Sequence, residues 1–428
     1  MTWVLFVLFV GLVLIRVPVT MAIGAAVLAA LLVAGFSDSL YIMPLQVLEG
    51  VENPALLAVP FFIMAGNLMN AVGMTDKIFN FATALVGHFR AGLAQVNVLS
   101  SMIFAGVSGA AVADCAGLGA VEIKAMRERG YPADFAAALT VASAVVGPII
   151  PPSISLVIYA FLSNTSVARL FLAGIVPGIL IGMSLMMFNR IIAKKRDFPR
   201  EPRASLGKIF RTAVDGIAAL VAPGIILGAI ITGYTTATEA GVLACAYSLL
   251  LGVIYRTLTW KKLWNTLTDT MLITAVIMII IGYSQVMGWL LAVEQIPQAL
   301  AESILLTTDS RPVFLALLLV FLLAIGTVVE GVPAKIILVP MLLPIIDQFG
   351  VDRVHFGLII TNALLIGIAT PPMGIGLYIV VKVGNVSFEK VTMAVLPMLV
   401  PLIIVLLLIT YIPPLTLWLP ELIMGPPG

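Results

Sequence analysis

Charge is what this sequence has least of. Of 428 residues, 10% are Asp, Glu, Lys or Arg, where soluble domains carry roughly 25%. Hydrophobic residues make up 61%, and mean hydropathy is +1.16. One soluble core cannot hide that much apolar surface, so lipid is the solvent. The net charge of +2 gives no sign of a nucleic-acid partner. Cysteine is nearly absent: Cys115 and Cys245 sit in separate apolar stretches without metal-ligand spacing, and read as buried packing. The two histidines, His88 and His355, are far apart in sequence and fall near expected helix ends. The single Gly-Lys pair, Gly207-Lys208, is followed by Ile209 and lacks a phosphate-binding loop around it. No HExxH or Ser/His/Asp pattern is written. Neither ATP hydrolysis nor membrane-protease chemistry is therefore expected; the chain is not an enzyme, and any transport must draw on an ion gradient.

What is present is long, continuous apolar sequence. In lipid only helices and closed barrels satisfy the backbone, and the runs do not alternate as barrel strands do, so the expected class is an all-α polytopic membrane protein. At about 20 residues per span there is room for roughly ten to twelve transmembrane helices. The run at the start, MTWVLFVLFVGLVLIRVPVT, has no basic residue before it and reads as a first membrane helix, not a removed signal. Two stretches, about 92–129 and 325–349, are apolar but peppered with Gly, Ser, Ala and charge; they predict re-entrant hairpins. Amphipathic pieces at 75–90, 205–220 and 259–270 predict helices lying in the interface plane. The densest basic stretch, 189–203, carries Arg190, Lys194, Lys195, Arg196, Arg200 and Arg203. The positive-inside rule places it in the cytoplasm. It divides the chain into a first half, 1–193, a loop, 194–203, and a second half, 204–428.

The halves echo each other at a constant shift of 220 residues: Gly130 with Gly350, Gly147 with Gly367, Pro151-Pro152 with Pro371-Pro372, and Pro177 with Pro397. Carriers are often built from such repeats, with Gly/Pro-interrupted helices at matching positions around a midplane site. In GPIIPPS (147–153) the prolines remove donors and cannot continue a helix. The carbonyls left free are tolerable in lipid only where they line a cavity or bind something. They suit a small hard cation such as Na⁺. The second half repeats this at GIATPPMG (367–374), where Thr370 adds a hydroxyl. A plain kink packed against neighbours is the alternative at either position.

In the first hairpin, SGAA (108–111) is the expected tip, from which the Ser108 hydroxyl can meet the GPIIPPS carbonyls. Asp114 lies just beyond in an apolar setting; it is either a functional intramembrane acid or a helix cap. Glu122, Lys124, Arg127, Glu128 and Arg129 read as the hairpin's exit into water, pairing with one another. In the second hairpin, Gly326 and Thr327 stand in for Ser108 at a shift of 218. Glu330 matches no acid in the first half, and Lys335 is expected to reach water or an acid partner.

The runs SGAAVADCAGLGAVEIKAMRERGYPADFAAALTVASAVVGPIIPPS, ARLFLAGIVPG (168–178), TTATEAG (235–241) and HFGLIITNALLIGIATPPMGIGLY (355–378) resemble the large membrane subunit of tripartite ATP-independent periplasmic (TRAP) transporters, the DctM type. The likeness covers nearly the whole chain. It implies Na⁺-coupled uptake of a small organic acid, such as a C4-dicarboxylate or sialic acid, in the bacterial inner membrane. It implies a small four-helix (Q-type) membrane partner, a periplasmic (P-type) binding protein, and an inverted-repeat, elevator-type fold of the ion-transporter superfamily. Carried onto this sequence, a first Na⁺ site would use Ser108, Ala110, Gly147, Ile150 and Pro152. A second would use Gly326, Gly367, Thr370 and Met373. Asp114, with Ser108, would border the substrate path. No organic cofactor is implied. The family often has serine where Ala110 stands, and often another residue at Glu330. The small subunit is not fused ahead of this chain and is expected as a separate protein. A stand-alone Na⁺/anion symporter is the alternative function. A membrane enzyme using Asp114 and Glu330 as paired acids, and a channel, fit the duplicated broken helices less well.

Overall fold

The computed structural model describes residues 2–15, 17–33, 35, 40–193, 198–199, 201–296, 298–299, 308–371 and 374–426. Among them every regular element is a helix. In the first half these are α1 (Thr2–Leu14), α2 (Val19–Val33), α3 (Ile42–Val51), α4 (Ala58–Ala71), α5 (Met74–Val86), α6 (Gly92–Ser108), α7 (Ala111–Ala113), α8 (Gly119–Glu128), α9 (Ala133–Ala144), α10 (Ile154–Ser163) and α11 (Val167–Ile192). In the second half they are α12 (Leu206–Ile231), α13 (Ala237–Ile254), α14 (Trp260–Val293), α15 (Arg311–Val328), α16 (Gly331–Gln348), α17 (Arg353–Ile368), α18 (Ile375–Gly384), α19 (Phe388–Tyr411) and α20 (Pro414–Met424).

Seven described helices (α11 to α16 and α19) are long and apolar enough to cross a membrane; α4 and α5 together make an eighth candidate, bent by 70°. Shorter apolar helices account for the rest of the multi-pass chain. The outer ring is apolar and exposed, with Phe210, Trp260, Val320 and Met393 open on the surface, as lipid-facing helices require. Of the three expected interface helices, two are not separate elements. Residues 206–220 are the first turns of α12, and 260–270 those of α14. Ser205 and Thr259 each accept a backbone N–H at these starts, so capping begins the helix there and the apolar sequence carries it onward. Only the 75–90 segment forms its own short helix, α5, set off by Gly73 at φ 88°.

The repeat reaches beyond the paired motifs. Hairpin 1 is α6 followed by α7, a π-helical turn (Asp114–Leu118) and α8. Hairpin 2 is α15 followed by α16. The starts of the second arms, Ala111 and Gly331, lie 220 residues apart, as do the ends, Glu128 and Gln348. The register is thus 220 inside the hairpins too. Gly326 falls opposite Gly106, and Ser108 opposite Val328, which corrects the pairing of Gly326 and Thr327 with Ser108. The packing is repeated as well: α9 meets α19 as α17 meets α11, and α10 meets α16 as α18 meets α8. The two halves are interleaved, each lending its short helix to the other's hairpin.

The centre belongs to α9 and α17. Phe135 to Ala144 are all buried, and so are Val354 to Ile368. Helices apolar all round are stable only inside such a core. Both run directly into the broken segments. At the other end, Tyr131, Phe135 and Phe198 stack together, the Arg129 guanidinium pairs with Glu201, and the Glu201 N–H bonds Gly87 O at 3.1 Å. This fastens Phe198 and Glu201 across the α8–α9 turn and the end of α5. Residues 194–197 and 200 of the basic loop lie outside the described residues.

Candidate functional site: hairpin tips and broken segments

Residues 145–153 leave the helix after α9, with a cis peptide between Pro151 and Pro152. Ser153 holds the far end: its hydroxyl donates to Pro148 O at 2.5 Å and accepts from Leu156 N at 3.1 Å, starting α10. Ile150 packs its side chain against Gly178 of α11. The carbonyls of Gly147, Ile150 and Pro152 accept no backbone hydrogen bond among the described residues. Such unpaired acceptors are costly in a dry interior.

The hairpin 1 tip lies against this segment. Gly109 adopts φ 59°, and a Cβ on it would sit 2.9 Å from Pro152 O, so only glycine lets the tip come this close. A Cβ on Gly147 would lie 3.9 Å from the Ala110 carbonyl carbon and 3.9 Å from Asp114 Oδ2. The structure therefore gathers Ala110, Gly147, Pro152 and Asp114. The Ala110 carbonyl already accepts Asp114 N at 3.1 Å, keeping one lone pair free. Asp114 opens the π-helical turn, a feature frequent at functional sites. It is fully buried; neither carboxyl oxygen meets good hydrogen-bond geometry among the described residues, and the Ser101 hydroxyl is the polar side chain beside it. The capping alternative thus fails on geometry. The Ser108 side chain lies outside what is described.

The second segment is built differently. Gly326 and Gly367 touch backbone to backbone, and a Cβ on Gly326 would lie 3.2 Å from Gly367 Cα. Gly367 O accepts Thr370 N at 3.0 Å, and the Thr370 hydroxyl donates to Ile366 O at 2.7 Å, leaving its oxygen lone pairs free. Pro372 and Met373 lie outside the described residues. Glu330 occupies the N-cap position of α16 without a side-chain capping bond.

Two polar centres depart from expectation. Glu122 does not leave for water. It is fully buried, accepting from Asn97 Nδ2 at 2.6 Å and lying 2.5 Å from the Ser100 hydroxyl. Asn97 also donates to Thr140 at 2.8 Å and accepts from Ser143 at 2.8 Å. The knot ties α6, α8 and α9 together. Its signal in the sequence was the row Asn97, Ser100, Ser101 on one face of an apolar helix, spaced to meet a partner. The other members of the predicted charged exit behave as expected only in part. Lys124 and Glu128 form an exposed pair at 4.0 Å, whereas Arg127 donates to Gly384 O at 2.9 Å and Arg129 pairs with Glu201. Lys335 does not reach water: it is buried, with Nζ held directly by Ser155 and Thr361 and the Glu330 carboxyl acting on it only from beyond ion-pair distance.

Paired hairpins set against paired broken helices, in a multi-pass helical chain, define a membrane carrier. The comparisons with known proteins agree. The chain matches the DctM component of tripartite ATP-independent periplasmic transporters over residues 6–415, and it belongs to that family. It is 44% identical to the sialic acid TRAP transporter large permease protein SiaM of Vibrio cholerae serotype O1, over 97% of this chain and 98% of that one. It is 36% identical to the C4-dicarboxylate TRAP transporter large permease protein DctM of Pseudomonas aeruginosa, over 90% of each chain. Among solved structures, the Alcanivorax borkumensis YdaH transporter shares the fold, with a TM-score of 0.60 at 14% identity, covering 88% of this chain and 89% of that one. These relatives are named as permeases and transporters, not enzymes.

Proposed function

We propose that this chain is the membrane subunit of a Na⁺-driven importer of a carboxylate in a bacterial inner membrane. The observation that carries this reading is the buried carboxyl of Asp114 beside the free carbonyls of Gly147 and Pro152. A buried carboxyl short of hydrogen bonds holds its charge only where a cation joins it, and oxygen-rich surroundings at an unwound helix suit Na⁺. Ser108, Ala110 and Ile150 complete the first site. Gly326, Gly367, Thr370 and Met373 form the second at the repeat-related break. The substrate is a small organic acid. The 44% relative is named for sialic acid, which favours that acid over a C4-dicarboxylate. A periplasmic binding protein delivers it, and a small membrane subunit completes the permease. The hairpins and broken segments move together as an elevator against α5, α12 and their neighbours, with the 194–203 loop in the cytoplasm.

The test is uptake of radiolabelled sialic acid into proteoliposomes holding the chain and its two partners. Uptake should rise with Na⁺ with a Hill slope above one. Full uptake on a proton gradient alone, without Na⁺, would remove the Na⁺ reading. Full uptake by the purified chain without partners would favour a stand-alone symporter.

A further inference from the structure

The sites above do not use Lys335, the one ammonium in the buried core among the described residues. Its Nζ donates to Ser155 O at 3.1 Å, to the Ser155 hydroxyl, and to Thr361 Oγ1 at 3.4 Å. All three partners are neutral oxygens: one backbone carbonyl and two hydroxyls. Glu330, five residues back along the same chain, acts on the ammonium by charge alone, from beyond ion-pair distance. A buried ammonium with its counter-charge held at a distance is expensive, and an apolar residue of similar volume is often the more stable choice. An ammonium at such a position calls for a use of the charge itself.

Its neighbours place that use. Ser155 lies in the first turn of α10, two residues past the hydroxyl of Ser153 that closes broken segment 1. Thr361 lies on α17, the helix that runs into broken segment 2. Lys335 itself lies on the second arm of hairpin 2, so one ammonium joins a hairpin of one half to a broken segment of the other. In the repeat register Lys335 stands opposite Cys115, next to Asp114. One hairpin thus carries a buried carboxyl short of hydrogen bonds, and the other a buried ammonium whose direct contacts are all neutral oxygens. The ligand set around Nζ, carbonyl plus hydroxyls from two elements, is the kind that coordinates a monovalent ion.

We propose that Lys335 is a tethered cation, filling with its own ammonium a third cation position that clamps hairpin 2 to broken segment 1. It rests on the Na⁺-driven reading for its role in transport, but the occupancy of the position does not. With the ammonium in place, hairpin 2 and broken segment 1 are already ordered together when mobile ions arrive. Without it, the mobile ions must supply that ordering.

The experiment uses the purified chain with its partners, comparing wild type, Lys335→Ala and Lys335→Met. The alanine variant opens a space next to Ser155 and Thr361 that ethylammonium fits; the methionine variant fills the space without charge. Thermal unfolding of the detergent-purified Ala variant should rise with millimolar ethylammonium and not with choline, while the Met variant responds to neither. In proteoliposomes the Ala variant should need at least threefold more Na⁺ for half-maximal uptake, with substrate KM at saturating Na⁺ unchanged within twofold and ethylammonium moving the Na⁺ curve back. Equal effects of ethylammonium and choline overturn the tethered-cation reading. So does a Met variant with wild-type Na⁺ activation, or an Ala variant whose only change is a raised substrate KM. Failure of both variants to yield folded protein makes Lys335 a folding element and overturns it too. If wild-type uptake ignores Na⁺, the transport reading fails while the unfolding measurement still decides whether an ammonium site exists.

Discussion

Asn97 Nδ2 lies 2.6 Å from Glu122 Oε2, and both residues are fully buried. This bond closes hairpin 1 by joining its incoming arm to its outgoing arm. Thr140 and Ser143 extend the same knot onto α9. Hairpin 1 and the helix feeding broken segment 1 therefore form one body.

Truncating Glu122 should undo that body. Glu122→Ala leaves a cavity and strands polar partners, at a cost of about 2–5 kcal/mol. Lys124→Ala, on the exposed pair with Glu128, should change stability by about 0.5 kcal/mol or less. Thermal unfolding in detergent compares the two, and equal melting temperatures would show that the knot does not hold the hairpin.

Close backbone approach makes a second prediction. Gly367→Ala drives a methyl into the Gly326 backbone, an overpacking cost of about 1–3 kcal/mol placed at the second candidate ion site. Uptake should fall at least tenfold. Gly224→Ala, in α12 with nothing within 4 Å of the added carbon, should keep wild-type uptake and gain a little helix stability. Wild-type uptake by Gly367→Ala would mean that the two segments separate during transport without needing this contact.

Much of this was legible before the fold was known. Continuous apolar runs specify membrane helices because lipid leaves the backbone no other partner. The paired Gly-Pro motifs located both breaks, because glycine followed closely by two consecutive prolines removes too many backbone donors to continue a helix, where Pro177 and Pro397 are each carried inside one. Asp114 stood out as an acid in an apolar run, and the structure leaves it buried and short of hydrogen bonds. Glu122 and Lys335 were misread because charge in a sequence reports solvation only on average. The burial of Glu122 depends on Asn97, Ser100 and Thr140 arriving from other helices, and that of Lys335 on Ser155, 180 residues away. The interface helices at 205–220 and 259–270 were misjudged for a related reason: an amphipathic start does not show whether the apolar turns after it continue the same helix.

The proposed ion ligands separate by chemistry. Asp114→Asn removes the charge and should raise half-activating Na⁺ by about tenfold or more, roughly 1.4 kcal/mol. Ser108→Ala and Thr370→Ala each remove one neutral oxygen and should raise it about threefold, with folding little changed. Na⁺ activation curves for the three variants give the ranking. Unchanged curves for both Ser108→Ala and Thr370→Ala would remove the hydroxyls from the sites.

An elevator must slide hairpin 1 past the helices it touches outside the moving body. Gly106 of α6 sits against Pro223 of α12, where a Cβ on Gly106 would lie 2.8 Å from Pro223 Cγ. With Cys115 and Cys245 replaced, cysteine pairs staggered along α6 and α12 should crosslink in two registers, one favoured with Na⁺ and substrate and one without. A single register under all ligand conditions would argue for a rocking or static mechanism.

On the tripartite reading, this chain should transport nothing efficiently alone. Among its described residues no soluble unit stands apart from the helices to capture a ligand. Its densest basic stretch, 189–203, belongs on the cytoplasmic side by the positive-inside rule, where it cannot receive a periplasmic donor. In the proposed assembly docking would fall to short periplasmic loops together with the surface of the small membrane subunit. Uptake in proteoliposomes should appear only when that subunit, a loaded binding protein and an inward Na⁺ gradient are all supplied, and omitting any one should cut it at least tenfold. Robust uptake after omission of the binding protein would assign substrate capture to the membrane subunit itself and make the chain a symporter in its own right.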